Sequence, residues 1–221
     1  SASAMSLIFP VAAVIGFSLA SDKSLSTLPV AFMMIAMMAM TAPSAVIMAK
    51  MGRKFGFWMG ATVAMLGAVS GMGAVYYSNF WLLCIACACI GAGNAVAMQY
   101  RFAAAEAAPA EFRARAISYT MLGGLASAFI GPNLASFARD WFDTVPFLGT
   151  FVALIGLQFL LVIAIGQLRL PDMRGHKHPE PARPLKTVMG QPAVIVAIIA
   201  GALGYAVMSF VMTATPLAIL D

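Results

Sequence analysis

The sequence predicts an all-α membrane protein, and three observations support this fold class. The chain of 221 residues is 62% hydrophobic and 10% charged, and its mean hydropathy is +0.92. A composition this apolar is not typical of a soluble domain, whereas a run of about 20 apolar residues is long enough to cross a bilayer. The apolar runs lack the alternation of barrel strands, so helices must satisfy the backbone within the membrane.

Seven apolar segments are predicted to be helices. They lie at 3–20, 29–49, 55–76, 80–100, 116–138, 146–168 and 190–220. We expect three parts: an N-terminal six-helix bundle over 1–168, a proline-rich linker over 169–189, and a seventh helix over 190–221. The chain starts without an initiator methionine and stops directly after an apolar run, so we expect it to be part of a longer protein.

The basic residues predict the orientation of the bundle. Of the 13 lysines and arginines, 11 lie in the connectors at 50–54, 101–115 and 169–189. The positive-inside rule places these connectors, and with them the N-terminus, in the cytoplasm. Because the basic residues follow this pattern, the net charge of +5 does not indicate a nucleic-acid partner. The lipid bilayer is the expected surrounding.

Two methionines in the last apolar segment are candidate metal ligands. Met208 and Met212 are four residues apart, so on a helix their side chains share one face. Thioether sulfur is a soft ligand that suits Cu(I). The chain has 17 methionines, however, and the pairs Met33/Met37 and Met34/Met38 have the same spacing. The spacing is therefore only a weak indication of copper binding.

Other chemistry-bearing residues lie within the predicted spans. Cys84 and Cys87 are spaced to share a helix face and Cys89 is not; such thiols usually serve as small, inert hydrophobes in an apolar setting. Asn94 and Gln158 are the most central polar residues, and we expect them to line a cavity or to bond between helices.

The cytoplasmic connectors hold the remaining candidate. Glu106 lies close in sequence to Arg113 and Arg115, and we expect it to make a surface or gate contact near them. The chain has no phosphate-binding glycine–lysine loop, no plausible catalytic triad and no zinc-type spacing, so we do not expect an enzyme.

Residues 45–54, with the sequence AVIMAKMGRK, resemble the loop motif between the second and third helices of the major facilitator superfamily. Gly52 and Arg53 match the motif, whereas Ala45 and Ala49 replace its glycine and its acidic residue. The resemblance implies a six-helix half bundle plus the seventh helix of a 12-helix protein. The missing C-terminal half would then be a partner of this chain.

A narrower resemblance is to the CcoA-type copper importers of Gram-negative bacteria. It rests on Tyr100–Glu106, Arg115–Ser118 and the segment Met208–Met212 with the following Thr213–Pro216. The resemblance implies a protein of the bacterial inner membrane that imports copper for assembly of a cbb-type oxidase. Copper would be the substrate, with no resident cofactor, and the Met pair would bind it. The family's second ligand pair would lie beyond Asp221.

Three functions follow from these observations. The main hypothesis is copper import by alternating access between two six-helix halves. The second is transport of an organic solute, such as a vitamin or a drug, by a protein of the same superfamily. The third is a membrane subunit that assists assembly and transports nothing.

Overall fold

The described part of the chain is almost entirely helical. The computed structural model describes residues 2–20, 22–139, 141, 147–167 and 190–218, and no strand is present among them. The helices are α1 (Ala2–Leu19), α2 (Leu28–Met51), α3 (Arg53–Tyr76), α4 (Phe80–Ala97), α5 (Tyr100–Ala107), α6 (Arg113–Arg139), α7 (Leu148–Gln167) and α8 (Pro192–Ala218). The predicted all-α class is confirmed.

Five of the described helical stretches are long and apolar enough to cross a membrane. They are Lys23–Met51, Arg53–Tyr76, Phe80–Ala107, Arg113–Ala138 and Leu148–Gln167. Two shorter apolar helical stretches, Met5–Leu19 and Pro192–Met208, correspond to the first and seventh predicted segments. The positions of all seven predicted apolar helices therefore agree with the structure.

The chain forms two compact units. One covers residues 1–174 and contains α1 to α7, and the other covers 175–221 and contains α8. The predicted linker at 169–189 lies outside the described residues. The division into domains at 168 and 189 therefore stays a prediction.

Small residues allow the helices of the first unit to approach one another closely. A Cβ atom added to Gly91 of α4 would lie 2.1 Å from the carbonyl oxygen of Met33 in α2. One added to Gly71 of α3 would lie 2.1 Å from Cε1 of Phe151 in α7. Because lipid tails are as apolar as leucine, such close packing is a main source of helix association in a membrane.

The turn between α2 and α3 is shorter than predicted. The sequence suggested a connector over 50–54, but Gly52 alone separates the two helices. Its φ of 92° and ψ of 153° reverse the chain in one residue, and this φ is open mainly to glycine. Lys50 and Arg53 therefore lie within helix ends.

The segment 101–115, which the sequence predicts to be a plain connector, contains helical structure, so this prediction is wrong. Its first half forms the helix α5, which ends at Ala107, and a 3₁₀ turn over Ala110–Phe112 leads into α6. The alanine-rich sequence of α5 favours a helix, and Pro109 disfavours helical backbone at the residue before it. The basic connector therefore has an ordered structure of its own.

Pro132 lies inside α6 and does not end it, although a proline in the interior of a helix commonly kinks or breaks it. The helix continues from Arg113 to Arg139. Proline removes one backbone donor from the ladder, and the side-chain nitrogen of Asn133 donates a hydrogen bond of 2.7 Å to the carbonyl of Phe129 in the same turn. The carbonyl that loses its backbone donor to Pro132 is that of Ala128, four residues earlier, so the Asn133 bond adds to the hydrogen bonding of this turn and does not replace the lost bond.

The opposite end of the bundle is held by a lysine and a capping aspartate. Lys23 Nζ donates to the carbonyl of Phe17 at 2.6 Å, near the end of α1, where a cation complements the helix dipole. Asp22 accepts a hydrogen bond from the backbone of Ser24. That bond holds the pKa of Asp22 below its usual value.

We expect Gly91→Ala to destabilise the protein and Gly123→Ala to leave it nearly unchanged. The first substitution drives a methyl group into the backbone of α2, whereas a Cβ on Gly123 meets nothing within 4 Å. Overpacking of this kind costs about 1–3 kcal/mol, so the melting temperature should fall by several degrees. Thermal unfolding of both variants in detergent measures the difference. Equal melting temperatures would contradict the packing.

Candidate functional site

The structure places the predicted copper ligands on one continuous helix. Helix α8 includes both positions 208 and 212, so the two residues stand on the same helix face, as their spacing predicts. The Met208 side chain is 56% exposed, and the side chain of Met212 lies outside the described part. Coordination of a metal by this pair therefore stays a prediction.

The described residues contain no cluster of the side chains that most often bind metal ions. Among them there is no group of three or more histidine, cysteine, aspartate or glutamate side chains that could hold a metal ion. Cys84 and Cys87 are buried free thiols on α4, and Cys89 is partly buried. Cys87 belongs to the same apolar core cluster as Met33. This placement agrees with a packing role for these side chains.

The first unit contains a small cavity with polar groups on its wall. Its volume is about 10 Å³, and Asn94 of α4 and Gln158 of α7, the two central polar residues of the sequence, both line it. The other lining residues come from α1, α3, α4, α5 and α7: Met5, Gly60, Ala61, Ala64, Ile90, Gly93, Tyr100 and Leu161. The cavity is far smaller than the 300–1,000 Å³ or so of typical ligand pockets.

The two amides in this cavity have unequal hydrogen bonding. Asn94 donates from Nδ2 to the sulfur of Met37 in α2 at 3.4 Å, and a thioether is a weak acceptor. Gln158 is only 2% exposed, and its Oε1 has no hydrogen-bond partner among the described residues. A buried acceptor left in this state costs about 1–3 kcal/mol. The wall of the cavity therefore contains a buried hydrogen-bond acceptor that has no partner among the described residues.

A second polar contact joins α2 to the segment after α4. Gln99 donates from Nε2 to the hydroxyl of Ser44 at 2.7 Å, and Ser44 donates in turn to the carbonyl of Thr41. Next to it, the ring of Tyr100 meets Phe57 of α3 edge to face, with 4.7 Å between centroids. These contacts fix the cavity's wall at the start of α5.

The loop motif between α2 and α3 makes an ion pair that the sequence did not reveal. Arg53 pairs with Glu106 of α5 at the partly exposed surface of the bundle, so Glu106 makes a surface contact as expected, and Arg53 is the partner that the sequence did not identify. The formation of α5 brings the two residues together across 53 positions. In the same turn, Lys54 Nζ donates to the carbonyl of Gly166 at 2.8 Å. The motif thus ties α3 to α5 and α7.

Comparison with known proteins identifies the family. The sequence profile of the Major Facilitator Superfamily matches residues 1–220. The chain belongs to this superfamily. It is 33% identical over 219 residues to the riboflavin transporter RfnT of Brucella anthropi, which covers 98% of this chain and 55% of that protein. It is 32% identical over 105 residues to YdeG of Bacillus subtilis, an uncharacterized MFS-type transporter, covering 46% and 24%. No solved structure matches the chain.

Membership of the superfamily confirms the broader of the two sequence resemblances. The protein is a multi-pass membrane protein of a transporter family. Six of its described long helices, α1 to α4, α6 and α7, correspond to a six-helix half, and α8 is one further helix. The chain spans 55% of the length of the riboflavin transporter and 24% of that of YdeG. Neither relative is named for copper, so the narrower resemblance gains no support from them.

We expect reversal of the Arg53–Glu106 pair to be tolerated and reversal of either residue alone to be harmful. Each single variant, Arg53→Glu or Glu106→Arg, faces a like charge, whereas the double variant restores an attraction. The side chains are 23% and 38% exposed, so the effect should be modest, about 1 kcal/mol or less. Thermal unfolding of the four proteins gives the coupling.

The control for this cycle is Glu111→Arg. Glu111 is an exposed acid in the turn before α6, and the described residues give it no ion pair. Its reversal should change stability by less than about 0.5 kcal/mol. Additive effects of Arg53→Glu and Glu106→Arg would show that the two charges do not interact.

Proposed function

We propose that the protein is a secondary transporter of a neutral organic solute of the flavin class, a vitamin or a molecule close to one. The observation that carries this proposal is the 33% identity with a riboflavin transporter over 219 residues. The similarity extends through all the described helices rather than through one motif, so it reflects the whole half bundle. This is the second hypothesis drawn from the sequence, and the comparison favours it over copper.

The charge distribution of the described helices supports a neutral solute. Every described acidic or basic residue lies in a connector or close to a helix end, as in the short helix α5 with Arg101 and Glu106. Ionised side chains at membrane depth usually mark sites for charged cargo or proton relays. A flat aromatic solute needs apolar walls and a few hydrogen-bonding groups instead. The chain contains 17 methionines and 19 glycines, and methionine is an adaptable apolar wall residue.

The packing of the bundle supports transport by alternating access. In this superfamily, the two halves rock about a site near the midplane, each half moving largely as a rigid body. The close contact of Gly91 with the backbone at Met33, and of Gly71 with Phe151, makes such a body of α2, α3, α4 and α7. We also propose that it lies in a bacterial inner membrane with its N-terminus in the cytoplasm, because the connectors at 50 and 101 are basic.

Copper import is the less favoured proposal. Its support is the placement of Met208 and Met212 on one face of α8. Two neutral sulfur atoms are a sparse ligand set, and the described residues add no cluster of histidine, cysteine or acidic side chains. The non-transporting subunit is also less favoured, since the matched family is one of transporters.

We expect the natural protein that contains this chain to carry riboflavin and not copper. It would be expressed in bacteria that cannot make or otherwise import riboflavin, and uptake of radiolabelled riboflavin and of copper-64 would be measured side by side. Riboflavin uptake should rise several-fold above the empty vector, with copper uptake unchanged. Met208→Leu should keep riboflavin uptake, since leucine replaces the side chain's bulk and removes only the sulfur.

The same assay contains the opposite outcome. Copper uptake that depends on the expressed protein and disappears in Met208→Leu, with riboflavin uptake at vector level, would overturn the proposal. The matched control is Met38→Leu, because Met38 is also an exposed methionine, 75% against 56% for Met208, and belongs to neither proposed site. Its uptake of both substrates should equal that of the unaltered protein.

A further inference from the structure

Two buried polar atoms of the described bundle lack a hydrogen-bond partner, and both belong to α7. They are Oγ1 of Thr150 and Oε1 of Gln158. Thr150 is fully buried and Gln158 is 2% exposed. Lipid offers no donor to such groups, and burial without a partner is unfavourable. Either a further group forms hydrogen bonds with these atoms, or the folded state is destabilised by leaving them unpaired.

The surroundings of the two atoms differ. Gln158 lines the cavity of about 10 Å³, whereas Thr150 is not among the residues around it. A cavity of roughly 10–15 Å³ is the smallest that holds one water molecule. Two further residues with polar side chains line the same cavity, Asn94 of α4 and Tyr100 of α5. Gln158 therefore has space beside it for a water, with further polar residues around that space, whereas Thr150 does not line this cavity.

We propose that this cavity is a binding site for a single structural water, which donates a hydrogen bond to Oε1 of Gln158. A buried water typically makes about three hydrogen bonds, and Asn94 and Tyr100 are the other residues with polar side chains that line the cavity. A tyrosine hydroxyl both donates and accepts. The proposed water links α7 to α4 and α5, the helices that carry these two residues.

The size and the wall of the cavity exclude larger occupants. A Cβ on Gly93 would lie 2.6 Å from the Cβ of Ala64, so α3 and α4 leave no room for an aromatic ring between them. Divalent cations such as Mg²⁺ and Ca²⁺ take six or more oxygen ligands, and the three polar side chains of the lining do not supply them. The cavity as it stands is too small for an aromatic solute, and the water site does not depend on the proposed function.

The test compares Gln158→Met with Thr150→Val, each close to its parent in volume. Removing an acceptor that is dry and unpaired stabilises a protein, whereas removing one that holds a water strands the water's other partners. In the natural protein that contains this chain, Gln158→Met should lower the melting temperature by several degrees. Thr150→Val should leave it unchanged or raise it. A rise for both variants would overturn the proposal.

Two further measurements test the water site in other ways, one by combining two substitutions and one on the unaltered protein. The combined variant Gln158→Met with Asn94→Leu should lose less stability than the two single changes added together, because both side chains share one water. In a density map of the unaltered protein that resolves waters, a peak should lie within about 2.7–3.2 Å of Oε1 of Gln158. Additive losses, or a cavity without a peak, would each contradict the water site.

Discussion

The close approach of helix backbones in α2, α3 and α4 is the constraint on which the rest of the structure depends. A membrane interior gives apolar side chains no reason to cluster, so the helices associate through contact area. Gly91 brings α4 against the backbone of Met33, and Gly93 faces Ala64 in the same way. This spacing determines where Asn94 lies, how wide the cavity beside it is, and how rigidly the bundle can move.

Polar groups in this bundle follow a second constraint, because each one must find its partner inside the protein. Gln99 meets Ser44 directly, Asn133 serves a carbonyl of its own helix beside Pro132, and Asn94 uses the sulfur of Met37. Among these described amides, Gln158 alone has a fully buried side-chain oxygen without a hydrogen-bond partner. This difference is the observation behind the proposed water site, and no sequence pattern reveals it.

The sequence predicted the helices well because their signal is the length of each apolar run, which depends on no partner. It also picked out Asn94 and Gln158, since polar residues are conspicuous in such runs. It missed α5 and the pairing of Arg53 with Glu106. That contact needs the one-residue turn at Gly52 and a helix within the connector, and neither is visible from charge spacing. The unpartnered state of Gln158 depends likewise on three-dimensional packing.

The difference between the copper and flavin hypotheses lies in how many residues each uses. The Met208–Met212 pair is one spacing on one helix, and a chain with 17 methionines contains other pairs of that kind. The match to a riboflavin transporter uses 219 positions, including those that set the backbone contacts of the bundle. Copper specificity needs several soft ligands that converge, whereas a neutral aromatic solute needs shape and apolar walls. The breadth of the similarity is therefore why the flavin class is the better substrate proposal.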